Sequence, residues 1–240
     1  MIHAVKVILL GTLVLSSAAY GNGTGLISLA NSPSAMGAND SVTWGQLGAD
    51  GAMAANTFSA TSSRLVSVTG AFSSTATGMV VTAGGPIWGA PSGAFADGDT
   101  LLWAFDGATN AGAGPLSISF PTGFGAGAAI QADAMGQFTA QIQLYSGLTS
   151  LGTETVTSDV NGDAVFIGAV DTVAEVTRAV FSLTAAGSSS GSANSLGDFT
   201  IDTLSLQDFA SSTPEPGSAF LLFAALPILG CGLRRRAARR

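Results

Sequence analysis

Short runs of Val, Ile, Leu, Phe and Thr alternate along this chain with clusters of Gly, Asn, Asp and Ser. The runs are Arg64 to Phe72, Gly78 to Thr82, Thr100 to Phe105, Pro115 to Phe120, Gln137 to Tyr145, Glu154 to Thr157, Ala164 to Ile167, Thr177 to Leu183 and Phe199 to Leu206. Between Phe138 and Leu144, the residues Phe138, Ala140, Ile142 and Leu144 share one side of an extended chain, while Thr139, Gln141 and Gln143 share the other. A half-buried strand requires this alternation, because successive side chains point to opposite faces. Phe199 to Leu206 combines the same alternation with a local shift. About nine short strands separated by turn signals predict an all-β fold, an antiparallel β-sandwich of the jelly-roll kind. No long helical period competes with it.

The two ends follow different patterns. Lys6 leads into the apolar run Val7 to Leu15 and then into the small residues Ser16, Ser17, Ala18 and Ala19. A basic start, a short apolar region and a small-residue cleavage site make a signal peptide, cut after Ala19 or, alternatively, after Gly21. At the other end, Pro214 and Pro216 interrupt Ser211 to Gly217 and make it a non-helical linker. An apolar run from Ser218 to Leu233 follows, then Arg234, Arg235, Arg236, Arg239 and Arg240. An apolar helix closed by a basic block is held in the membrane with its basic end in the cytoplasm, leaving the body outside. The expected organisation is a signal peptide at 1–19, a sandwich domain at 20–210, a linker at 211–217, a single hydrophobic helix at 218–233 and a basic tail at 234–240.

Charge sharpens this division. Of the eight Lys and Arg residues only Arg64 and Arg178 lie between the end segments, against all 15 acids, which leaves about −13 on the stretch from Tyr20 to Pro216. Nucleic-acid binding depends on Lys and Arg neutralising phosphates, so nucleic acid is excluded as a partner. The one histidine, His3, and the one cysteine, Cys231, fall in the end segments. The body therefore has no Cys–His nucleophile pair and no thiolate or imidazole metal site, and no cofactor is expected.

Pro214, Glu215 and Pro216, the apolar helix and the arginine cluster, in that order at the C-terminus, resemble the PEP-CTERM sorting signal over about the last 28 residues. The resemblance implies recognition of the tripeptide by an exosortase, a membrane transpeptidase-like enzyme that removes the helix as the protein is sorted to the surface or released. It also implies a Gram-negative, exopolysaccharide-producing setting. From Pro115 onward the order of strands is similar to the galactose-binding-like sandwich. The matching parts are Gln137 to Tyr145, a turn at Leu151-Gly152, Val165-Phe166-Ile167-Gly168, Arg178-Ala179-Val180-Phe181 and the closing run Asp198 to Leu204.

Candidate chemistry is sparse. Asp159-Val160-Asn161-Gly162-Asp163 places oxygen ligands at alternate positions, as a calcium loop does, but Ala164 and Val170 stand where an EF-hand-type loop needs Gly and an acid. Asn-Gly instead suits a two-residue hairpin turn. Asp97-Gly98-Asp99 and Asp106-Gly107 are turns by the same reasoning. Trp44, Trp88, Trp103, Tyr145 and Phe124 could stack on sugar rings, with core packing as the default. Arg178 is expected to form an ion pair with an acid such as Asp202. No catalytic set emerges, and the only assigned motif is the sorting tripeptide Pro214, Glu215 and Pro216. The expected function is a non-catalytic surface or matrix protein beside extracellular polysaccharide, handled by the secretion machinery, signal peptidase and an exosortase. A carbohydrate-binding module is the alternative, and a carboxylate-dependent glycan hydrolase the remoter one.

Overall fold

A computed structural model describes residues 25–73, 76–84, 88, 93–105, 114–186 and 198–208. The expected signal peptide, the Pro214–Glu215–Pro216 motif, the expected C-terminal helix and basic tail, and Asp106-Gly107 all lie outside the described residues. In chain order the elements are β1 (Ile27–Ala30), the short helix α1 (Pro33–Met36), β2 (Asp40–Val42), β3 (Met53–Ala54), β4 (Thr57–Thr61), β5 (Ser67–Phe72), β6 (Thr77–Thr82) and β7 (Thr100–Phe105). They continue with β8 (Leu116–Ala132), β9 (Thr139–Ser146), β10 (Thr149–Thr157), β11 (Val165–Asp171), β12 (Val176–Ala185), β13 (Phe199–Ile201) and β14 (Leu204–Asp208). Every strand pairing is antiparallel.

Two layers share the long strand β8. Its first half lies between β5 and β12 in the order β4-β5-β8-β12-β9-β10, the first sheet. Its second half lies between β11 on one side and β14 and β13 on the other; β1 extends the β11 side, β2 pairs β14, and β13 leads on to β7, β6 and β3. The crossing falls at Pro121 to Gly123, where three residues of β12 (Val176 to Arg178) span five of β8 (Gly123 to Ser119). A strand changes sheets by such a bulge, and proline and glycine tolerate the lost pairing.

The core lies between the layers. Leu116, Ile118, Ile142, Leu144, Ala179 and Phe181 of the first sheet meet Ala126, Ile130, Ile167, Phe199, Ile201 and Leu206 of the second. Even-numbered positions of β8 point inward along nearly its whole length. A smaller cluster of Trp88, Phe95, Leu101, Ala129 and Ala164 sits on the outer face of the second sheet.

The antiparallel sandwich agrees with the sequence pattern, and so does the shift within Phe199 to Leu206, where Asp202 and Thr203 break β13 from β14. Three local expectations are corrected. Asp159 to Asp163 joins β10 to β11, which do not pair, so it crosses between sheets and is not a hairpin turn. The β9–β10 turn lies at Gly147 (φ 58°) and Leu148, while Leu151-Gly152 lies inside β10 at a bulge. Strand β8 runs twelve residues past Phe120, because Gly125, Gly127 and Ala129 keep the alternation while carrying almost no side chain.

One contact near the end of the domain makes stability depend on pH. Asp40 of β2 is 4% exposed, and its Oδ1 accepts hydrogen bonds from the amides of Ser41 (2.8 Å) and Arg64 (2.9 Å) and from Ser63 Oγ (2.7 Å). Burial alone would raise its pKa, but these bonds and Ser62 outweigh burial and hold it below the ordinary value. Asp40 Oδ2 is buried and has no hydrogen-bond partner among the described residues. Burial, reinforced by the facing Asp40 carboxyl and partly offset by Arg64, pushes Asp208 up to about 6. Protonated Asp208 can donate to Asp40. Since the folded pKa lies above the unfolded one, the native state holds the proton more tightly, and this term weakens the fold as pH rises from about 4 to 6. Asp208→Asn is expected to stabilise the domain at pH 7.5 by about 1 kcal/mol, discounted for solvent screening, or roughly 3 °C in Tm. The gain should vanish by pH 4. Melting temperatures of both proteins from pH 4 to 8 test this, and a pH-independent difference would refute it.

Candidate functional site

The outer face of the second sheet carries a cleft of about 310 Å³. Its floor is made by Ala129 of β8 and Ser205 of β14. Floor positions are small because Gly127 and Gly168, paired with each other, leave room for the Phe166 ring that forms one wall; a Cβ on either glycine would lie within 2.9 Å of that ring. Asn31, Ser32 and Pro33 form another wall where the chain enters α1. Ser32 Oγ caps that helix by accepting from the Ala35 amide (3.1 Å), and Pro33 follows at the first helical position. Ala94 closes the side toward the 93–99 turn, and Asp202 with Thr203 forms the end.

Asp202 is held by its backbone. Its amide donates to Ala129 O (2.9 Å), and its carbonyl accepts from Trp44 Nε1 (2.9 Å), so a buried core tryptophan fixes the β13–β14 break at the rim of the cleft. Thr203 Oγ1 donates to the carboxylate (3.2 Å). Burial, with Asp99 beside it, pushes the Asp202 pKa above the ordinary carboxylate value. The two carboxyls are within hydrogen-bond reach of each other.

The outer face of the first sheet differs in kind. Across the strands runs the row Ser59, Thr69, Ser119, Arg178, Tyr145 and Ser150, and beside it Thr57, Ala71, Ser117, Val180, Gln143 and Thr153. The Arg178 guanidinium lies 4.0 Å from the Tyr145 ring centroid. Tyr145 Oη donates to Gln143 Oε1 (2.7 Å), and Gln143 Nε2 donates to Ser150 Oγ (3.0 Å).

The remaining expectations fall as follows. Trp44 is fully buried, edge-on to Phe58 at 6.0 Å, and Phe124 is half-buried in β8. Trp88 is buried beside half-buried Trp103 (5.9 Å), which stacks on Phe105 (4.6 Å). The expected Arg178–Asp202 ion pair is absent: register places Arg178 on the first sheet's outer face beside Tyr145, whereas Asp202 lies at the second sheet beside Asp99. Asp159 is a turn-building residue. Its carboxylate accepts from the amides of Asp163 and Asn161 and from Asn161 Nδ2, bonds that hold its pKa below the ordinary value. Asp97 and Asp99 flank a turn at Gly98 (φ 87°), with Asp99 accepting from the Ala96 amide. Among the described residues no group of three or more His, Cys, Asp or Glu is placed to hold a metal ion.

Asn31 carries no site signal in the sequence, and Phe166 enters it only as part of the strand run Val165 to Gly168. Phe166 was legible in part, because alternation with Val165 and Ile167 turns it outward. Asn31 had no signal beyond the Ser-Pro helix start that follows it.

The fold and site together define an antiparallel β-sandwich with a mixed polar and aromatic cleft on one face and a polar, nearly uncharged surface on the other. No protein-family model matches the chain, and no curated protein matches it. Among solved structures, the CBM22-2 xylan-binding domain of Xyn10C from Paenibacillus barcinonensis is similar over 58% of this chain and 91% of that chain, at 10% identity and a TM-score of 0.34.

Proposed function

We propose that the protein is exported and sorted by its PEP-CTERM tail, and that its sandwich contacts extracellular polysaccharide without catalysing a reaction. The observation that carries the glycan part is the make-up of the second-sheet cleft. One aromatic residue, Phe166, lines this space together with the polar residues Asn31, Asp202, Thr203 and Ser205. An aromatic face covers the apolar face of a sugar ring, and a few convergent polar groups bind its hydroxyls. The export part is supported by the sequence at both ends.

Affinity electrophoresis of the purified domain through gels containing neutral polysaccharides tests the reading. Retardation by at least one glycan is expected, weakened about tenfold by Phe166→Ala, in line with roughly 1 to 1.5 kcal/mol for an aromatic contact. A thermal melt of the variant separates lost binding from lost fold. Release of reducing ends from any glycan, abolished by Asp202→Asn, would replace the binding reading with an enzymatic one.

A further inference from the structure

In a body with two cations and fourteen acids, each cation would be expected to find a carboxylate. Arg178 does not: among the described residues no ion pair reaches it, its guanidinium lies over the Tyr145 ring, and its Nε is buried without a hydrogen-bond partner. The surface around it is also unlike the rest of the molecule. The outward positions of β4, β5, the first half of β8, β12, β9 and β10 are Ser, Thr, Gln, Ala and Val around Arg178 and Tyr145, with no acid. Glu154 of β10 is paired with Ile142, whose side chain points into the core, and so belongs to the other side of the sheet.

Resting on the reading that the protein contacts extracellular polysaccharide, we infer that this face binds an acidic glycan, with Arg178 taking the carboxylate of a uronic-acid residue and the flanking rows taking its hydroxyls. A guanidinium offers a planar fork of donors that matches a carboxylate in two parallel hydrogen bonds. Stacking on Tyr145 fixes the plane of that fork in advance, so little freedom is lost on binding. Strands spaced about 4.8 Å apart make the six-residue row about 24 Å long, enough for several sugar rings. Serine, threonine and glutamine supply donors and acceptors along it without charge that would repel the ligand. The acids elsewhere act only weakly here, since exposed charges are screened beyond about 8 Å at physiological ionic strength. The face lies on the opposite layer from the cleft, so the two contacts are independent.

Retention of the full domain on immobilised polygalacturonate, on its methyl ester and on dextran sulfate tests the inference, using wild type, Arg178→Gln, Arg178→Lys and Phe166→Ala. Retention by polygalacturonate is expected, lost on esterification, reduced at least tenfold in Arg178→Gln and partly kept in Arg178→Lys. Phe166→Ala should leave it unchanged. Retention that survives esterification or Arg178→Gln would overturn the assignment, and so would retention by dextran sulfate alone. Loss of neutral-glycan retardation in Phe166→Ala, with acid-glycan retention intact, would count for the cleft and leave the Arg178 face standing. Melting temperatures within about 2 °C of wild type, as expected of surface substitutions, exclude unfolding as the cause.

Discussion

Trp44→Ala is expected to destabilise the domain by about 3 to 5 kcal/mol, the range for truncating a large, fully buried aromatic side chain. Trp44 is 0% exposed and packs edge-on to Phe58 at 6.0 Å, and Phe58 in turn meets Phe72 at 5.3 Å. Its removal opens a cavity in the main core beside Phe58. It also deprives the Asp202 carbonyl of its donor at 2.9 Å. Trp44→Phe separates the two effects, since it keeps most of the packing and loses the hydrogen bond, for about 1 to 2 kcal/mol. Because that bond holds the β13–β14 break at the cleft, Trp44→Phe should also weaken neutral-glycan retardation more than its modest instability explains. Urea unfolding of both variants measures the ordering. A loss below 1 kcal/mol for Trp44→Ala would mean that the tryptophan does not fill the core as described.

Gly125→Ala is expected to cost about 3 kcal/mol for the addition of one methyl group. A Cβ at Gly125 would lie 2.3 Å from the Ala169 carbonyl oxygen and 2.9 Å from Val170 Cα. Both are backbone atoms of β11, which is itself held between β8 and β1, so relief requires two strands to separate and not one side chain to turn. Overpacking a core costs about 1 to 3 kcal/mol when side chains can adjust, and here they cannot. Gly45→Ala is the control, since its Cβ would meet only Thr100 side-chain atoms at 3.9 Å, an ordinary contact. Equal stability of the two alanine variants by urea unfolding would refute the close approach of β8 and β11.

The legibility of this protein in its sequence varied with the kind of signal. Strands with large apolar residues on one face, such as β9 with Ala140, Ile142 and Leu144, were evident because alternation is a local property. The second half of β8 was not, since Gly125, Gly127 and Ala129 remove the contrast by which alternation is recognised. The strands β1 to β4 are two to five residues long and fell below the length at which a period shows. Asp159 to Asp163 is a turn, as its composition predicts, but it does not close a hairpin. Asp159 builds the turn from within, whereas the pairing of its flanking strands depends on distant partners.

The sequence by itself determined the antiparallel sandwich, the exclusion of His and Cys chemistry from the body, and the case for export, which rests on end segments outside the described residues. These are properties of composition and local order. The pairing of Arg178 with Tyr145, of Asp40 with Asp208, and of Asp202 with Asp99 and the Trp44 indole was decided only by the tertiary structure. Each joins residues 33 to 168 positions apart. Strand register and the bend of β8 set such distances, and they depend on how the whole core packs, so neither charge nor spacing along the chain could have chosen the partners.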